Sequence, residues 1–121
     1  MRKIKKFEDL AVWQEAMMLT VDLMKELTCW KNYGLKTQLE RSSISIPSNI
    51  AEGYERKSNK EFIQFLCIAR GSCAELRTQL YVCQELDLID KVNVQKLLEK
   101  SRKISAMLSK LIVTRKTLFD K

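Results

Sequence analysis

Residues 59–86, NKEFIQFLCIARGSCAELRTQLYVCQEL, decide the fold of this chain. Their apolar positions recur at alternating spacings of four and three residues, which is the pattern of a heptad seam. The seam consists of Phe62, Leu66, Ala69, Cys73, Leu76, Leu80 and Cys83. This periodicity predicts one long amphipathic helix. A helix with such a seam packs at about +20° against its neighbours in a helical bundle.

Three further amphipathic segments accompany this helix, at about 9–30, 35–55 and 93–118. The apolar stripe of the first segment is formed by Leu10, Val12, Trp13, Ala16, Met17, Thr20, Met24 and Leu27. Asp9 is the expected start signal of that helix. Only three Gly and one Pro interrupt the 121 residues, which favours long helices with short connections. The sequence predicts one all-α domain, 1–121, folded as an antiparallel up-down four-helix bundle with a basic N-terminal arm at 1–6.

Pro47 lies inside the second segment. An interior proline removes one backbone hydrogen bond and clashes with the preceding turn, so we expect the helix to bend or restart there. Asn49 and Glu52 have the spacing of a capping box, which would suit a restart. In the third helix Gly71 costs up to about 1 kcal/mol relative to Ala. The expected compensation is close approach of another helix backbone, from the region of Pro47.

Positive charge concentrates at the two ends of the chain. The net charge is +7; residues 91–121 hold nine Lys or Arg against two acidic residues, and residues 1–6 hold four basic ones. The lysines on one outer face of the last helix are Lys96, Lys100, Lys103 and Lys110, and the basic residues of the arm are Arg2, Lys3, Lys5 and Lys6. These eight are the candidate nucleic-acid-binding residues, and they would contact phosphates rather than bases. In the competing interpretation the lysines only solvate the outer face of a helix.

The composition excludes several kinds of chemistry. The chain has no histidine, so it cannot build a Ser-His-Asp triad, a Cys-His pair or a Glu-x-x-His di-iron site within one chain. A metal site built from Glu40, Glu52, Glu61 and Glu75 is disfavoured, because buried carboxylates in a bundle more often pair with arginine. The sequence therefore predicts no enzyme, with no catalytic, cofactor-binding or metal-binding residue and no small-molecule substrate.

The cysteines and the hydropathy pattern indicate where the protein resides. Cys29, Cys67, Cys73 and Cys83 contain no C-x-x-C spacing and are interpreted as small buried apolar residues in a reducing compartment. The first residues lack the apolar stretch of a signal peptide, and no window is apolar enough for a membrane span. We therefore expect a cytoplasmic protein without a membrane partner.

Three segments in order along the chain carry a resemblance to a known family. They are FEDLAVWQEA at 7–16, RSSISIPSNIAEG at 41–53, and the pattern Phe62-x-x-x-Leu66-x-x-Ala69-x-Gly71-Ser72-x-x-Glu75-Leu76. Together they resemble the 23S rRNA intervening-sequence protein family, whose motif falls here on Arg41, Ser45, Pro47, Asn49, Glu52, Gly53, Gly71, Ser72 and Glu75. We interpret these residues as a bend, a close helix crossing and a buried polar network.

The resemblance implies a bacterial four-helix bundle that associates as a ring-like homopentamer. It also implies similarity to the accessory proteins of diversity-generating retroelements, which bind nucleic acid and a reverse transcriptase. The leading hypothesis is a non-enzymatic, oligomeric RNA- or DNA-binding bundle. The alternative is a protein-interaction adaptor or assembly scaffold, for example for a polymerase or reverse transcriptase, that does not itself bind nucleic acid.

Overall fold

Four long helices form the fold, which is seen in a computed structural model that describes residues 3–119. After a short 3-10 turn at Phe7–Asp9, the helices are α1 (Ala11–Leu27), α2 (Tyr33–Glu55), α3 (Asn59–Glu85) and α4 (Lys91–Phe119). No strand occurs among these residues. Each helix contacts the next along the chain, and α4 contacts α1 to close the bundle. The predicted all-α four-helix bundle is confirmed.

Hydrogen bonds between neighbouring helices show the relative direction of those helices. As residue numbers rise along one helix, the numbers of the partner residues on the next helix fall. The pairs are Ser42–Gln79 and Ser45–Ser72 between α2 and α3, and Arg70–Ser109 and Arg77–Ser101 between α3 and α4. Helices α2 and α3, and likewise α3 and α4, therefore run antiparallel. No helix within residues 3–119 is both long and apolar enough to cross a membrane.

The core is built from one apolar stripe on each helix. All seven positions of the predicted α3 seam are buried. Full burial of a side chain such as Leu76 contributes roughly 1.5–3 kcal/mol, so this seam is a main source of stability. The stripe predicted for α1 is partly wrong: Met17 is exposed, whereas Leu19 and Leu23 are completely buried. Helix α1 is apolar on more than one side, which blurs its periodicity.

The first helix begins and ends inside its predicted limits. Asp9 is not its start signal, because Leu10 occupies the N-cap position and Asp9 belongs to the 3-10 turn. The Asp9 carboxylate accepts hydrogen bonds from the backbone N–H groups of Lys5 (3.0 Å) and Lys6 (3.3 Å). The carboxylate that the sequence assigned to the helix is thus bound to the N-terminal arm.

Helix α2 continues through Pro47, so the helix does not restart there, and the bend at Pro47 stays a prediction. Pro47 has no N–H to donate to the carbonyl oxygen of Ser43, four residues earlier. The Thr20 hydroxyl of α1 supplies the missing donor: its oxygen lies 2.9 Å from the Ser43 carbonyl oxygen and 3.0 Å from that of Ala16. Thr20 is buried, so water does not compete for this hydrogen bond. The single hydroxyl proton of Thr20 is shared between these two acceptors, so a hydroxyl of the neighbouring helix partly replaces the backbone hydrogen bond that Pro47 removes.

The capping box proposed for the restart is also wrong. Asn49 donates from Nδ2 to the backbone carbonyl of Ser45, at 2.7 Å, and to the Ser45 hydroxyl, at 2.9 Å. Glu52 forms an exposed ion pair with Arg56, one turn later. Both side chains are used within a continuous helix, because no free helix start exists there for them to cap.

Close helix approach occurs at Gly53 and not at Gly71. A Cβ atom placed on Gly53 would lie 2.6 Å from Cβ of Phe65 on α3, a distance that real Cβ atoms do not adopt. A Cβ on Gly71 would meet nothing within 4 Å, and Gly71 is exposed. The expectation for Gly71 is therefore wrong, because this residue faces away from α2. Its neighbour Ser72 does contact α2.

Candidate nucleic-acid interface

The four lysines of the predicted ridge on α4 are all exposed, but two of them have acidic partners on α1. Lys100 pairs with Asp22, and the Nζ atom of Lys103 lies 2.9 Å from a carboxylate oxygen of Glu15. Helix α4 itself contains few acidic residues. The partners come from the adjacent helix instead, so part of the ridge is a mixed-charge edge between α1 and α4.

A spacing in the sequence could have revealed these partners. Glu15 and Asp22 are seven residues apart, so they lie on one side of α1 with Glu26 one turn further on. Lys96 lies beside Asp22 and Glu26 in a shallow depression between the two helices. Three of the four ridge lysines therefore lie near negative charge.

Lys110 lies at the far end of the ridge from Lys96. It is 14 residues beyond Lys96, which corresponds to about 21 Å along a helix. It borders an apolar groove formed with Leu10, Val12 and Leu111, near the start of α1. Neither Lys96 nor Lys110 forms an ion pair with a residue that the structure describes. The predicted ridge is therefore not uniform along α4.

The N-terminal arm presents exposed lysines, and hydrogen bonds fix its backbone at Lys5 and Lys6. Lys3, Lys5 and Lys6 are exposed, while Arg2 lies outside the described residues. The hydrogen bonds to Asp9 hold the arm, and the ring of Phe7 packs edge-on against Trp13 with 5.3 Å between centroids. Lys5 and Lys6 can therefore be presented without a large loss of backbone entropy on binding.

The family motif lies mainly along the contact between α2 and α3. The Ser45 and Ser72 hydroxyl oxygens are 2.9 Å apart, and Asn49 donates to Ser45. By contrast, the charged members of the motif are exposed, namely Arg41, Glu52 and Glu75. The predicted buried polar network is wrong for these three, because their long side chains point to solvent. What remains is a small set of serine and asparagine contacts that joins two helices.

A second polar link, between α3 and α4, was not foreseen. Arg77 donates to the hydroxyl oxygens of Ser101 (3.1 Å) and Ser105 (2.9 Å), and Ser101 donates to the carbonyl oxygen of Cys73 (3.2 Å). Ser101 is completely buried. The available signal was the spacing of Ser101 and Ser105, four residues apart, next to the apolar stripe of α4. This link fixes α4, and with it the ridge lysines, against α3.

Two cysteines are poorly suited to act as nucleophiles. Burial raises the pKa of the Cys83 thiol to about 11, and burial also raises the pKa of Cys73, so both thiols stay protonated at neutral pH. Cys29 is exposed and Cys67 is half-buried, so the prediction of four buried cysteines is wrong for these two. Cys29 follows the last turn of α1, where no other helix covers it. Within residues 3–119, no three His, Cys, Asp or Glu side chains cluster in a way that could hold a metal ion.

Comparisons with known proteins agree with the fold and with the family resemblance. The family model described as 23S rRNA-intervening sequence protein matches residues 8–110. A crystal structure of a protein with unknown function from the S23 ribosomal protein family of Bacteroides thetaiotaomicron is similar, with a TM-score of 0.78 and 25% identity. The match covers 84% of this chain and 98% of that one. A comparison with curated proteins gives no significant match. The chain belongs to the 23S rRNA-intervening sequence protein family.

Proposed function

We propose that this protein is a non-enzymatic, oligomeric bundle of the bacterial cytoplasm that binds RNA or DNA through phosphate contacts. The observation that carries the proposal is the set of exposed lysines without carboxylate partners among the described residues. Among the predicted binding residues, these are Lys3, Lys5 and Lys6 on the arm and Lys96 and Lys110 on α4. Such contacts give salt-dependent affinity with little sequence specificity. The family description names a sequence that intervenes in 23S rRNA, which makes RNA the first ligand to test.

The paired lysines are expected to contribute less than the unpaired ones. Lys100 and Lys103 already interact with Asp22 and Glu15, and a phosphate would have to compete with these carboxylates. Because exposed pairs of this kind contribute only about 0.2–1 kcal/mol, nucleic acid can displace the partners. We expect the arm and Lys110 to dominate binding.

The oligomeric part of the proposal is a ring-like homopentamer, as the family resemblance implies. An apolar groove between α1 and α2 supports a subunit contact, because the described residues of its lining include no charged one. Its lining includes the exposed residues Met17, Val21 and Ile44, together with Trp13 and Pro47. A contiguous exposed apolar surface of this kind marks an interaction site. Five copies would repeat the weak phosphate contacts and raise the overall affinity.

Retention of a labelled RNA at several salt concentrations tests the proposal. We expect binding at about 50 mM salt and a loss of ~10³-fold or more by about 200 mM, because bound phosphates release counterions. A variant in which Lys96, Lys100, Lys103 and Lys110 are changed to Glu should bind much more weakly. The matched control changes four lysines outside the ridge, Lys25, Lys31, Lys36 and Lys91, to Glu. Salt-independent binding, or equal behaviour of the two variants, would contradict the proposal.

The apolar groove also favours a second candidate, a protein-interaction adaptor or assembly scaffold. In that case the groove binds another protein, such as a polymerase or reverse transcriptase, and the lysines have no role in binding nucleic acid. A pull-down from nuclease-treated lysate separates the candidates, because a direct protein partner survives nuclease and a nucleic-acid bridge does not. Light scattering with and without RNA gives the subunit number; a monomer would contradict the ring.

A further inference from the structure

A cleft at the end of the bundle that carries the N-terminal arm lies away from the ridge on α4. Its volume is about 550 Å³. The arm forms one wall through Lys5 and Lys6, the connection between α2 and α3 forms another around Lys57, and Arg115 of α4 contributes from the far side. Three parts of the chain that are distant in sequence thus meet around one concave space. We name it the arm-end cleft.

The charge of the arm-end cleft is strongly positive. Among the described residues of the lining, Lys5, Lys6, Lys57 and Arg115 are basic and Glu55 is the one acidic residue. The three lysines are exposed and form no ion pair with a residue that the structure describes. Like charges that converge on a small space repel one another, so an anion in that space is favoured.

Arg115 is held in a fixed orientation within the cleft. Its Nε atom donates to the side-chain oxygen of Asn59 at 2.8 Å, and its guanidinium carbon lies 5.1 Å from the centre of the Phe62 ring. The side-chain amide of Asn59 in turn donates to the backbone carbonyl of Arg115 at 3.3 Å. A guanidinium fixed in this way loses little side-chain entropy when it binds an oxyanion, since its orientation is already set.

The geometry points to a binding site for one phosphate group of an unpaired nucleotide, and we propose this as the role of the arm-end cleft. A volume of about 550 Å³ is within the range of pockets that hold a molecule the size of one nucleotide, whereas a nucleic-acid duplex is too wide to enter it. The ring of Tyr54, half-buried beside Phe62, gives the cleft an aromatic wall next to its cations. This inference rests on the proposed function in one respect, namely that the phosphate belongs to a nucleic acid. The shape and charge of the cleft do not depend on the proposed function.

Uridine 5′-monophosphate is a direct probe of the cleft, with uridine as the control that lacks phosphate. In NMR titrations of the full chain we expect the nucleotide to shift the backbone amide signals of Lys57, Asn59 and Arg115, and uridine to leave them unchanged. A variant with Lys5, Lys6 and Lys57 changed to Gln should lose these shifts. All three side chains are exposed, so the variant should fold. Absence of shifts in the unaltered protein would overturn the inference.

RNA retention separates failure of the inference from failure of the proposed function. The control variant changes Lys25, Lys31 and Lys91 to Gln, which removes the same charge at the opposite end. We expect the cleft variant to bind single-stranded RNA about 10-fold more weakly and the control variant no more than about 3-fold. Equal losses would overturn the inference and the expected dominance of the arm, while RNA binding through phosphate contacts would remain. If the unaltered protein does not bind RNA, the proposed function is overturned. The nucleotide titration alone would then show whether the cleft binds a phosphate group.

Discussion

The contact between α2 and α3 differs from the contact between α1 and α4. Helices α2 and α3 approach closely at small residues of α2: Gly53 lies against Phe65, and the Ser45 hydroxyl lies 2.9 Å from that of Ser72. Helices α1 and α4 are joined at their edge by long charged side chains, as in the exposed pair of Lys103 with Glu15. Close packing tolerates no added atom, whereas exposed ion pairs can exchange partners. The first contact therefore determines the fold, and the second leaves a surface that can bind a ligand.

The largest expected effect is that of a side chain at Gly53. Changing Gly53 to Val places Cβ 2.6 Å from Cβ of Phe65, so α2 must move away from α3. We expect a loss of roughly 2–3 kcal/mol in the free energy of unfolding, since overpacking strains the core. Urea denaturation measures this loss.

Gly71 provides the matched control. Because a Cβ there meets nothing within 4 Å, changing Gly71 to Ala should stabilise the protein by up to about 1 kcal/mol through helix propensity. If Ala at position 71 is as damaging as Val at position 53, close approach does not distinguish the two glycines.

The next largest effect is expected at Thr20. Changing Thr20 to Val leaves the Ser43 carbonyl, which already lacks the N–H of Pro47, without a donor. An unpaired buried carbonyl costs about 1–3 kcal/mol, and thermal denaturation should show a lower midpoint. Thr78, which is exposed and bonds to its own helix, is the control; the same change there should cost less than about 0.5 kcal/mol.

A double mutant tests the mechanism behind the Thr20 effect. Changing Pro47 to Ala restores an N–H within reach of the Ser43 carbonyl, so the loss caused by Thr20→Val should shrink in that background. A loss of equal size in both backgrounds would mean that the Thr20 hydroxyl does not act through the Ser43 carbonyl.

A smaller effect is expected from the Ser45–Ser72 pair. Changing either serine to Ala should cost about 0.5–1.5 kcal/mol, and changing both should cost less than the sum, because one hydrogen bond is lost only once. A double-mutant cycle measures the coupling. Strict additivity would show that the two hydroxyl groups do not interact.

The smallest effect on stability is expected at the edge of α1 and α4. Changing Glu15 to Gln and Asp22 to Asn removes the partners of Lys103 and Lys100, and should alter stability by no more than about 1 kcal/mol. The same change should strengthen RNA binding, because it frees two lysines. Changing Glu85 to Gln and Asp87 to Asn removes the same charge at exposed positions elsewhere. Equal RNA affinity in the two variants would show that the edge does not contribute to binding.

The sequence predicted the features that depend on local periodicity. The seam from Phe62 to Cys83 repeats without interruption, and every position in it is buried. The buried face of α1 was harder to predict, because Met17 and Met18 are apolar yet exposed, while Leu19 and Leu23 lie in the core. A stripe can be assigned from sequence only where polar residues mark the opposite face.

Features that depend on a second helix were not predictable from one segment. Gly53 and Gly71 are both glycines within helical segments, and only the position of Phe65 distinguishes them. The partners of Lys100 and Lys103 lie 78 and 88 residues away in sequence. The arm-end cleft likewise joins residues from both ends and the middle of the chain. Such features can be predicted only when the packing of the whole bundle is known.

The hydroxyl that compensates for Pro47 has a consequence for the order of folding. An isolated α2 segment would lack one hydrogen bond at Pro47 and would be interrupted there, because its Ser43 carbonyl would have no donor from the bundle. The segment becomes one continuous helix only when Thr20 of α1 lies beside it. Helix α2 should therefore complete its backbone late, after docking on α1, and the slow step of folding should be sensitive to contacts between these two helices.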